Sequence, residues 1–97
     1  MLDAVNQAIL KMIGEGLSIE EMIDANIGLK STSSVHMRIR QLEELGLVDP
    51  PPKRKMSRSR FLTELGIRYL VAAGYWKERK AGIYRDYLDA FYPARNQ

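Results

Sequence analysis

The chain contains no cysteine. That excludes a disulfide framework and every thiolate metal site, and it fits a reducing compartment such as the cytoplasm. There is one histidine, His36. Without a second His or a Cys to complete a ligand set, no metal is expected. No apolar run approaches the ~18 residues of a membrane span. The start, MLDAVNQAIL, lacks the basic segment ahead of an apolar one that marks a signal peptide. No glycine-rich phosphate loop and no carboxylate pair in an evident cleft are present, so neither an enzyme nor a cofactor is expected. Prolines are few, and three of the four are consecutive, Pro50-Pro51-Pro52.

What is present suits one globular domain: 97 residues, 45% hydrophobic and 28% charged. The net charge is only +3 but is unevenly placed. Residues 1–29 carry one Lys against five acids, whereas residues 30–60 carry eight Lys or Arg against three acids. A basic middle third on a nearly neutral chain points to a local anionic partner such as nucleic acid. A solvated basic loop would give the same count.

Leu2, Val5, Ile9, Met12 and Ile13 follow helical spacing, so a first helix is predicted from about residue 2 to Gly14, ended by Gly14 and Gly16. Ser18 followed three residues later by Glu21 is a capping box, which predicts a short second helix ending near Asn26. Ile27-Gly28-Leu29-Lys30 reads as a tight turn. A third helix then opens in the hydroxyl run Ser31, Thr32, Ser33, Ser34, with Val35, Ile39, Leu42 and Leu45 as its buried stripe and Gly46 behind it. Leu47-Val48 and Arg60-Phe61-Leu62 read as two short strands flanking the proline run and KRKMSRSR, five basic residues in eight. Thr63 is placed to cap a fourth helix from about Glu64 to Ala73, with Gly74 after it. Ile83, Tyr84, Tyr87, Leu88 and Phe91 mark an amphipathic last helix ended by Pro93.

One hydroxyl suffices to cap a helix. Four in a row exceed that need, and small hydroxyl side chains let a helix start approach a duplex and bond phosphates or base edges. Projection at 100° per residue puts Ser33, Met37 and Arg40 opposite the buried stripe, with His36 at the edge. Arg40 can take a guanine bidentately and Met37 can meet a thymine methyl. Arg38 falls nearer the buried flank, where it would reach a phosphate or pack through its stem. Lys30, Ser31, Thr32, Ser33, Ser34, His36, Met37, Arg38 and Arg40 are therefore the candidate DNA contacts on this helix.

The stretch IGLKSTSSVHMRIRQLEELGLV resembles the DNA-binding domain of the LexA repressor family over about residues 17–48. The residues that carry the likeness are Gly28, Leu29, Ser31, Ser33, Val35, Leu42, Glu43, Gly46, Leu47 and Val48, with Ile39 in place of the usual leucine. The resemblance implies a winged helix-turn-helix in which Ser31, Ser33, Ser34 and Met37 occupy base-reading positions. FLTELGIRYLVAAG looks like the wing-to-helix join of MarR-like regulators. The 97 residues hold no self-cleaving peptidase, so a switch by self-cleavage is not implied.

The expected architecture is mainly α with a small β-hairpin: a winged helix-turn-helix over residues 1–74 and an added C-terminal helix over 75–97. Lys53, Arg54, Lys55, Arg58 and Arg60 would form a basic wing against phosphates or a narrow minor groove. Glu20, Glu21 and Asp24 on the second helix count against DNA on that side, though acids in a first turn also suit the helix dipole. Ile83, Tyr84, Tyr87, Leu88 and Phe91 are expected to form the seam of a homodimer, unless Gly82 breaks the helix and turns the segment inward. The reading is of a cytoplasmic, homodimeric repressor that binds an inverted repeat in double-stranded DNA. A plasmid or phage partition or replication protein is the alternative within DNA binding. A winged-helix adaptor for other proteins is the alternative outside it.

Overall fold

The computed structural model describes residues 2–50 and 60–93. Five helices and one two-stranded hairpin follow in the order α1 (Ala4–Gly14), α2 (Ile19–Asp24), α3 (Thr32–Glu44), β1 (Val48–Asp49), β2 (Phe61–Leu62), α4 (Glu64–Ala72) and α5 (Glu78–Phe91). The chain is thus mainly helical with a small antiparallel hairpin. No helix among the described residues is long and apolar enough to cross a membrane.

The helix starts follow from local chemistry. Asp3, Ser18, Ser31 and Thr63 each sit in extended backbone and accept a hydrogen bond from an amide in the following first turn. At Ser18 the box is reciprocal, since Glu21 accepts from the Ser18 N–H at 2.9 Å. That contact with the Ser18 backbone holds the Glu21 carboxyl below its ordinary range. The first helix ends as glycines allow, but the work is divided. Gly16 takes the positive φ of 77°. Gly14 is the last helical residue, and a Cβ there would stand 2.6 Å from the Trp76 ring.

The hairpin pairs Val48 with Leu62 and Asp49 with Phe61. Its base is tied on both sides. The Thr63 hydroxyl donates to the Gly46 carbonyl at 2.6 Å and accepts from the Gly66 N–H at 3.1 Å. Gly66 permits the close approach that this requires, because any Cβ there would run into the Leu47 carbonyl oxygen. The Leu62 N–H donates to the Tyr84 hydroxyl at 3.0 Å, so α5 also grips the hairpin.

One core holds these elements together. Ile9, Leu10, Val35, Leu42, Leu62, Ile67, Leu70 and Ala81 are fully buried. Trp76, Tyr84 and Leu88 belong to the same cluster, so both sides of the expected boundary after residue 74 contribute to it. Two expectations change here. Leu45, placed on the stripe of α3, is 55% exposed. It follows the last helical residue and lies ~80° round from Val35, so the stripe ends at Leu42. The last helix begins five residues before Ile83, and Gly82 lies unbroken in its interior.

Candidate nucleic-acid interface

The turn between α2 and α3 is built from Asn26 and Gly28, both at positive φ, 59° and 93°. Two left-handed residues so close together turn the chain within a few residues, and α3 packs on α2. Val35, Ile39 and Leu42 then face inward. Lys30, Thr32, Ser33, His36, Met37 and Arg40 are exposed. Met37 keeps 56% of its surface in solvent on the outer face.

The hydroxyl cluster divides into two jobs. Ser31 is the cap, accepting from the Ser34 N–H at 3.2 Å. Its hydroxyl also lies 2.8 Å from that of Ser34 and 3.3 Å from that of Ser33, which orders the first turn. Thr32 and Ser33 are the first two helical residues, so their amides have no intrahelical acceptor. Those amides and the positive end of the helix dipole face solvent beside the hydroxyls, a setting suited to a phosphate oxygen.

The two arginines of α3 part ways. Arg40 has no ion pair or hydrogen bond among the described residues and stands exposed on the outer face. Arg38 is committed elsewhere: its Nη1 donates to Asp3 Oδ2 at 2.7 Å and to Asn6 Oδ1 at 3.3 Å. Asn6, the buried polar residue of α1, in turn donates to Gln41 Oε1 at 3.2 Å. The Asn6 N–H first, and the Arg38 guanidinium second, hold the Asp3 carboxyl below its ordinary range. Arg38 therefore fastens α3 to α1, a role that helical projection assigned only as far as the buried flank. Asp3, Asn6 and Gln41 were not anticipated. Their separation of 32 to 35 residues leaves no periodic signal.

Of the expected wing, Lys53, Arg54, Lys55 and Arg58 lie outside the described residues. Arg60 is described and is partly buried just before β2, with its Nε lacking a hydrogen-bond partner. On α2, Glu20 and Asp24 are exposed while Glu21 is held in the capping box. Of the expected dimer residues, Ile83, Tyr87 and Phe91 form an outer face, 60%, 44% and 67% exposed. Tyr84 and Leu88 turn inward instead. They lie on the other flank of α5, where the tilted ring of Trp76 lies 5.3 Å from that of Tyr84. No group of three His, Cys, Asp or Glu suited to a metal occurs among the described residues.

No protein-family model, curated protein or solved structure matches the chain.

Proposed function

We propose that the chain is a winged helix-turn-helix protein that binds duplex DNA sequence-specifically, with α3 in the major groove, and that it acts as a transcriptional repressor. The observation that carries this reading is the outer face of α3. Its apolar stripe is spent on the core, while Ser33, Met37 and Arg40 point away from it. Such a face combines a bidentate donor, an apolar methyl contact and small hydroxyls, the set used to read base edges. The segment Lys53–Arg60 supplies the wing in this reading and meets phosphates through charge. A partition or replication protein would use the same contacts. An adaptor for proteins would not need a basic segment here.

The test is a titration of labelled duplexes, a selected site beside a random one. Arg40→Ala weakens the selected site by ~1–3 kcal/mol and lowers the preference for it. An equal loss on both duplexes makes Arg40 a phosphate contact. Absence of salt-dependent binding to any duplex, or to heparin, removes the proposal.

A further inference from the structure

α5 carries two apolar faces, one buried in the core and one largely exposed, on which Tyr87 packs against Phe61 and Tyr84 and Phe91 packs against Tyr87. Ala81, Tyr84 and Leu88 enter the core. Ile83, Tyr87 and Phe91 recur every fourth residue on the outside. At the N-terminal end of that outer face lies a cleft of about 550 Å³ lined by Tyr75, Trp76, Lys77, Arg79, Lys80 and Ile83. Its walls are two aromatic rings and Ile83, rimmed by cations. Lys80 stands 5.0 Å above the Trp76 ring and is tethered at 3.5 Å to Glu15. The same face thus offers an aromatic knob at one end and an open cleft at the other.

We propose that the occupant of this cleft is Phe91 of a second copy, in an antiparallel α5–α5 pairing whose two-fold axis passes beside Ile83. The register follows from helix geometry. Phe91 lies eight residues, ~12 Å, beyond Ile83. A two-fold at Ile83 carries the Phe91 of each copy the same distance to the other side, past Glu78 at the start of α5 and onto the side of the preceding segment, whose Tyr75, Trp76 and Lys77 line the cleft. Because the contact is isologous, it forms twice, and Ile83 meets its own counterpart between the two insertions.

Charge supports the same register. Arg79 and Asp86 lie on one edge of the apolar face, about 40° and 60° from Ile83. Both are exposed, and neither has an ion-pair partner among the described residues. Antiparallel pairing places like edges together. With the axis at Ile83, Arg79 of each copy stands opposite Asp86 of the other to within one residue of axial position. An axis at Tyr87 would instead bring the two Asp86 carboxylates together. The pairing does not depend on DNA binding.

Mass in solution and two sets of variants test it. The wild-type chain at micromolar concentration gives twice the 11.1 kDa of one copy by light scattering. The chain lacks cysteine, so Ile83→Cys reports directly on the axis. Under mild oxidation it forms a disulfide-linked dimer, which Ser33→Cys on α3 does not. Asp86→Arg faces two cations with two cations and weakens association at least about tenfold. Adding Arg79→Asp to it restores association with the charges exchanged, which misfolding would not do. A wild-type monomer overturns the proposal. So does a dimer that crosslinks no better at residue 83 than at 33 or ignores the charge exchange.

Discussion

α3 and α5 are both amphipathic helices on the outside of one core, yet they end differently. α3 uses its whole apolar stripe inward and turns a polar face outward, with Met37 as the exception. α5 uses one apolar flank inward and leaves a second largely in solvent, Ile83 and Phe91 with Tyr87 half-covered by Phe61 and Tyr84. A polar face offers hydrogen bonds and needs no cover. An apolar face of this kind gains only when something dry lies on it. In the reading proposed here, one helix meets nucleic acid and the other a copy of itself.

Leu88 and Phe91 give the sharpest break of that comparison. They are three residues apart, 2% and 67% exposed. Leu88→Ala destabilises the fold by about 2–5 kcal/mol in a denaturant titration, because it leaves a cavity beneath α5. Phe91→Ala leaves folding stability of the monomer nearly unchanged and acts on association. Equal losses of stability for the two would mean that α5 has no distinct outer face.

Arg38 and Arg40 sharpen the contrast within α3. Arg38→Ala frees α3 from Asp3 and Asn6 and lowers the melting temperature by a few degrees. Arg40→Ala leaves the melting temperature unchanged and lowers DNA affinity. Differential scanning calorimetry beside a DNA titration checks both. A melting temperature indifferent to Arg38 would leave the Asp3 contact without a structural role.

The smallest effect concerns the latch between α4 and α5. Arg85 grips Glu64 through Nε to Oε1 at 2.9 Å and Nη2 to Oε2 at 2.7 Å, and Arg68 joins at 3.1 Å. Arg85 chiefly, and Arg68 next among the favourable partners, hold the Glu64 carboxyl below its ordinary value of 4.5. A carboxyl with a lowered folded-state pKa stabilises the fold above its unfolded value and loses that contribution as the pH falls through the folded one. Thermal stability therefore declines slightly more steeply below pH 4.5 in the wild type than in Glu64→Gln. Both side chains are one third to one half exposed, so solvent screens the pair and the difference is small. Superimposable acid limbs would remove Glu64 from the latch.

The sequence by itself determined the starts of α2, α3 and α4, the turn before α3 and the outward set on α3, but not the start of α5, which no side chain caps. These are local: a cap needs one side chain and an amide within a turn, and a stripe needs only the helical period. It also marked α5 as amphipathic. Only the tertiary structure decided which apolar flank of α5 goes inward, since Tyr84 and Tyr87 are the same residue type on one helix. Tyr84 is inside because the Leu62 N–H and the Trp76 ring meet it there. The same holds for the arginines of α3, where Asp3, 35 residues away, claims Arg38 and leaves Arg40 free. Local hydrogen bonds and periodicity are written in adjacent residues, whereas the choice between equivalent side chains is made by whatever the fold sets opposite them.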